Sequence, residues 1–169
     1  KNTRPLKDLT KESIFNIMGH SKKFSINFES SEILDLFSGT GSFGIECLSR
    51  GAKYVTFVEN YERILPILKK NLDNLNSQKN YSIYEKNILN ELNLKELKKK
   101  FDIIFLDPPY KEKNLEKTLF NIIDQKILKP DGILIIHRHK KQNDIMPNTI
   151  KILEEKNYGI SKILFCAYS

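Results

Sequence analysis

The chain has 169 residues, 40% of them hydrophobic, with two cysteines and no tryptophan, which suits one globular domain that needs neither disulfides nor a structural metal. Its apolar runs, such as 103–106 and 133–136, are far shorter than a membrane span, and nothing near Lys1 has the apolar core of a signal peptide, so a trimmed, cytoplasmic, membrane-free chain is expected. Cys47 and Cys166 sit among apolar neighbours and read as core residues of a reducing compartment; the net charge of +7 hints at a polyanionic partner, yet 24 lysines against four arginines are spread along the chain, so charge alone decides nothing.

In chain order, an extended stretch around Arg4-Pro5 leads into a short amphipathic helix near Thr10, with Ile14, Phe15, Ile17 and Met18 turned inward. Residues 1–20 thus pack onto the core of a single domain spanning 1–169. Apolar, β-rich runs follow at 32–38, 54–59, 81–87, 101–107 and 132–138, with helical patterns between them at 42–50, 61–76, 92–100 and 114–127. Ile64, Leu65, Leu68, Leu72 and Leu75 make one helical stripe. Strands apolar on both faces and separated by helices suit a parallel sheet covered on each side. At the end, 149–155 and 161–168 flank Asn157-Tyr158-Gly159, and strands joined that closely are antiparallel. The expected fold is a Rossmann-like α/β sheet of about seven strands, mostly parallel, with an antiparallel strand added late.

The first strand runs into Asp35-Leu36-Phe37-Ser38-Gly39-Thr40-Gly41-Ser42-Phe43-Gly44 and then a helix. Glycines there let the backbone turn sharply and let a ligand approach N–H groups at the helix N-terminus, with Gly41 expected to clear the approach. Glu59, 20 residues after Gly39, is placed to meet ribose hydroxyls. A pyrophosphate disfavours a carboxylate beside the loop, whereas the cationic amino-acid end of S-adenosylmethionine prefers one. Asp35 supplies it, either to the ligand ammonium or, in the competing reading, as a cap on the neighbouring helix.

The fourth strand ends in Asp107-Pro108-Pro109-Tyr110. Two prolines stop the strand and fix the backbone. Asp107 and the Pro108 carbonyl can each accept a hydrogen from a planar NH₂ group while Tyr110 stacks on its ring. Holding both hydrogens aims the nitrogen lone pair at a methyl donor and stabilises the positive charge that develops.

These residues make the chain resemble class I S-adenosylmethionine methyltransferases, and more closely the RsmD-type guanine-N2 methyltransferases of bacterial small-subunit ribosomal RNA. The resemblance covers nearly the whole chain and includes RPLKDLTKESIFNIM (4–18), LSRGA (48–52) and NYG (157–159). It implies methyl transfer to the exocyclic amine of a flipped guanine, in ribosomal RNA or a partly assembled small subunit; a monomer is the default expectation. Asp35, Phe37, Gly39, Thr40 and Gly41 match the methionine side of the cofactor site. Glu59 and Asn60 match its ribose and adenine contacts, and Asn87 and Ile88 flank the adenine. Asp107, Pro108 and Tyr110 match the catalytic tetrapeptide. Arg4, Lys7, Lys11, Lys111, Arg138 and Lys140 are the expected RNA contacts. The chain departs from the pattern at Leu6-Lys7, where relatives often have two hydroxyl residues, and at Leu9, where arginine is common. It also departs at 137–141, a basic run where an acidic residue is frequent; this run reads as an RNA-facing cluster or a solvated loop. Adenine-N6 or protein glutamine amide methylation would use the same tetrapeptide. A nicotinamide oxidoreductase would need a second catalytic region that this length leaves no room for.

Overall fold

The computed structural model describes residues 8–75, 80–87, 93–109, 111–112 and 115–169. Helix α1 (Asp8–His20) buries Thr10, Ile14, Phe15 and Met18, neighbours on one face at helical spacing. The strands are β1 (Glu32–Leu36), β2 (Tyr54–Val58), β3 (Tyr81–Tyr84), β4 (Phe101–Leu106), β5 (Leu128–His139), β6 (Ile150–Tyr158) and β7 (Ser161–Tyr168). They form one seven-stranded sheet in the order β3-β2-β1-β4-β5-β7-β6. The first five run parallel, and β7 lies antiparallel to both β5 and β6. Helices α2 (Ser42–Ser49), α3 (Leu65–Asp73) and α4 (Leu115–Asp124) lie in the connections.

Successive strand residues point to opposite faces, and both faces are covered. Leu34, Leu36, Ile104 and Leu106 join Leu119 and Ile122 of α4 in one core cluster. Their chain neighbours Ile33, Ile103 and Phe105 join Phe15, Phe43 and Leu68 in the other. There the Phe43 ring stacks on Phe15 at 5.3 Å and on Phe105 at 4.1 Å, fastening α1 and α2 to β4. The chain winds outward from β1 through β2 to β3, then returns to the other side of β1 as β4. The crevice at the C-terminal ends of β1 and β4 is the switch point at which open α/β sheets bind ligands.

Several expected boundaries move. The helix expected at 92–100 is, among the described residues, one 3₁₀ turn, Leu94–Leu97, which buries both leucines and stops where Lys98 adopts φ +50. Two apolar residues three apart need no more than such a turn. Helix α3 starts at Leu65 with Pro66 in its first turn, where the missing N–H costs nothing. Strand β5 starts four residues earlier than 132, because Leu128 pairs with Phe101 before the ladder slips and resumes at Ile133 and Ile103. The hairpin turn is Gly159-Ile160, entered with Gly159 at φ +57, and β6 runs right up to it.

Candidate active site

Three carboxylates gather at the C-terminal rim: Asp35 within β1, Glu59 just past β2 and Asp107 just past β4. Phe37, Gly39 and Gly41 take φ +60, +56 and +85, so the chain turns sharply off β1. Ser38 pins that turn to β2: its hydroxyl donates to the Asp35 carbonyl at 2.6 Å and accepts the Val58 N–H at 3.0 Å. Glu59 Oε2 accepts the Gly39 N–H at 2.9 Å, and Oε1 accepts those of Asn60 and Tyr61, also at 2.9 Å. The Thr40 carbonyl accepts from the Asn71 amide at 3.0 Å.

Each glycine of the loop has its own reason. A Cβ on Gly39 would meet nothing within 4 Å, so its open side is where a ligand can approach. A Cβ on Gly41 would lie 2.5 Å from Leu68 Cδ1, so packing and positive φ require that glycine, and the expected clearance belongs to Gly39. A Cβ on Gly44 would lie 2.3 Å from the Phe57 ring, which lets α2 press onto β2.

Asp35 is 1% exposed, and its Oδ2 accepts the Gly44 N–H at 3.0 Å. The helix-cap reading is therefore realised, while Oδ1 takes no bond from a described residue. Burial pushes its carboxyl up to about 8; the Gly44 N–H opposes this, and the charges of Asp107 and Glu59 add to it. Among the described residues no lysine or arginine pairs with any of the three carboxylates. Such a donor set fits a ligand bearing an ammonium, a sulfonium and ribose hydroxyls, and does not fit a pyrophosphate.

Asp107 is half-buried. The register Leu106↔Ile136 puts it beside His137, whose Nδ1 lies 2.7 Å from Asp107 Oδ1 and whose Nε2 lies 2.9 Å from Ser161 Oγ. Pro108 is buried, and the Pro109 carbonyl accepts the Glu112 N–H at 2.8 Å. Tyr110, Ile88, Arg4 and Lys7 lie outside the described residues.

The expectation that Arg138 meets RNA is corrected. It is fully buried and grips Asp144 through Nε at 2.8 Å and Nη2 at 2.7 Å, with Nη2 also on the Glu112 carbonyl at 2.9 Å. A charge enclosed with its counter-ion ties the segment after Asp107 to the end of β5 and is not presented to a polyanion. His137 is likewise buried, so of the basic run only Lys140 and Lys141 are exposed. Lys111 is exposed at the same rim, Asn60 is exposed beside Glu59, and Asn87 is half-buried three residues past β3. Lys11 on α1 is half-buried, its Nζ 3.8 Å from Asp8. Sequence reading missed Ser38, Asn71 and Ser161, whose partners lie 20 to 31 residues away.

The family model described as Conserved hypothetical protein 95 matches residues 1–167. Ribosomal RNA small subunit methyltransferase D of Haemophilus influenzae is 35% identical over 159 residues, covering 93% of this chain and 79% of the relative. The protein of the same name from Buchnera aphidicola (subsp. Acyrthosiphon pisum) is 34% identical over 155 residues, covering 92% and 77%. A crystal structure of a Haemophilus influenzae protein described as a methylase superposes with TM-score 0.74 at 32% identity, covering 96% of this chain and 98% of that one. Together with a carboxylate rim suited to a sulfonium amino acid, these matches place the chain in the Conserved hypothetical protein 95 family, as an RsmD-type class I methyltransferase that uses S-adenosylmethionine.

Proposed function

We propose that the protein methylates small-subunit ribosomal RNA, at the exocyclic N2 amine of a guanine. The observation that carries this reading is Asp107: one oxygen is fixed by His137, and Oδ2 takes no bond from a described residue at the rim where the glycine loop ends. S-adenosylmethionine supplies an electrophilic methyl group when bound. On the cofactor side, Asp35 acts beneath the turn of Phe37, Gly39, Thr40 and Gly41 to favour the ammonium. Glu59 and Asn60 take the ribose, and Asn87 and Ile88 flank the adenine. On the acceptor side, Asp107 Oδ2 and the Pro108 carbonyl each accept one hydrogen of the amine, and Tyr110 stacks on the base. The nitrogen lone pair would form the new N–C bond while the methyl–sulfur bond of the bound cofactor broke with its electron pair going to sulfur, and the surplus proton on nitrogen would pass to solvent after transfer.

The names of the relatives support ribosomal RNA as substrate. Lys111 and Lys140, with Arg4, Lys7 and Lys11, supply the cationic surface for its phosphates, and the unit acting is a single domain, residues 1–169, as a monomer. The test is transfer of a labelled methyl group to unmodified small-subunit RNA and to partly assembled subunits, followed by nucleoside digestion and mass spectrometry. Labelled N2-methylguanosine is expected. Label on adenosine would replace guanine by adenine. Absence of label from both RNA substrates, with cofactor bound, would remove RNA as the acceptor.

A further inference from the structure

Asp107 can orient an amine only if its own carboxylate is held still, and Asp107 stands at a strand end followed by two prolines that offer it no N–H. The structure supplies a holder from the neighbouring strand. His137 is one residue beyond the last β4–β5 pair, Leu106↔Ile136, so its ring lies on the same face as Asp107, with Nδ1 at 2.7 Å from Oδ1. The ring is clamped at its far side by Ser161 Oγ, 2.9 Å from Nε2, at the first residue of β7. His137 and Ser161 are 6% and 5% exposed, and among the described residues the Ser161 hydroxyl has no other partner.

We propose that His137 is a positioning residue for methyl transfer, and that Ser161 sets its tautomer. This rests on the role of Asp107 in the proposed function. A buried hydroxyl needs an acceptor, so Ser161 donates to Nε2, which leaves the ring hydrogen on Nδ1. That N–H donates to Asp107 Oδ1, commits one carboxylate oxygen, and turns Oδ2 toward the incoming amine. The logic is that of any reacting group oriented by a second hydrogen-bonded group behind it. In this role His137 acts from behind Asp107 rather than on cofactor or base, so its loss slows turnover without weakening binding.

The experiment compares kcat, KM for RNA, cofactor affinity and melting temperature for five variants. His137→Leu removes the donor and is expected to lower kcat by about tenfold or more, with KM and cofactor affinity within about twofold. His137→Asn puts an amide N–H where Nδ1 stood and is expected to recover most of that loss. Ser161→Ala, which frees the tautomer, falls between. In an Asp107→Asn background of residual activity, adding His137→Leu is expected to change kcat by less than about twofold, because the histidine acts only through that aspartate. An Asn variant as slow as the Leu variant, or an unchanged kcat in His137→Leu, overturns the proposal. Should His137→Leu not fold, Ser161→Ala and His137→Asn decide: a slow Asn variant beside an unaffected Ala variant overturns it equally. Wild-type kcat in Asp107→Asn alone would instead remove the Asp107 reading, whereas an impaired Asp107→Asn beside an unimpaired His137→Leu removes only this one.

Discussion

Burial pushes the Asp35 carboxyl up to about 8 from 3.8, against the pull of the Gly44 N–H. The folded, free protein therefore carries it protonated at pH 7, and a bound ammonium favours the ionised form. Cofactor binding at pH 7 is expected to release close to one proton, seen calorimetrically in buffers of different ionisation enthalpy, and affinity is expected to rise with pH up to about 8. Absence of proton release would detach Asp35 from the ligand. The same group works against stability. Between 3.8 and about 8 the folded state holds a proton that the unfolded chain has lost, so the stabilisation present below 3.8 declines across that window. Asp35→Asn keeps an acceptor for the Gly44 N–H and removes the titration. Its stability relative to the native chain is expected to grow from pH 5 to pH 8 in urea unfolding, while cofactor affinity falls by about tenfold or more.

At the scale of elements, α2 meets the sheet through Gly44, where a Cβ would lie 2.3 Å from the Phe57 ring. Gly44→Ala is expected to cost about 1–3 kcal/mol in urea unfolding through overpacking, and to weaken cofactor binding because the same helix start carries the glycine loop. Asp144→Ala strands the buried Arg138 charge and is expected to cost about 3–5 kcal/mol; a loss near zero would show that the pair is dispensable. The strands were legible because runs such as Ile103-Ile104-Phe105-Leu106 send alternate residues into two separate cores. Asp35, Glu59 and Asp107 were legible too, since each follows or ends an apolar run at the rim. His137 and Arg138 were not. Their partners Asp107, Ser161 and Asp144 sit in other segments, and a polar pair closing an apolar run looks the same in sequence whether it is solvated or satisfied inside. The turn at Leu94–Leu97 was read as a longer helix because the lysines that follow carry no inward signal.

For the whole molecule, the net charge of +7 matters only where lysines reach the rim, and Lys111 and Lys140 are exposed there. Methylation of RNA is expected to fall about tenfold or more between 50 and 200 mM salt, with a shallower slope in a Lys111→Glu, Lys140→Glu variant; a flat response would argue against phosphate contacts. The strand order carries a consequence for how the molecule is made. Strand β7 lies between β5 and β6 yet leaves the ribosome after both. A nascent chain arrested at Gly159 already contains the glycine loop, the carboxylates and His137, but β5 has an open edge and β6 has nothing to join. Only the arrival of the eight residues of β7 closes the sheet and brings Ser161 to the histidine, so the last strand to be made is the one that completes both the sheet and the contact behind Asp107.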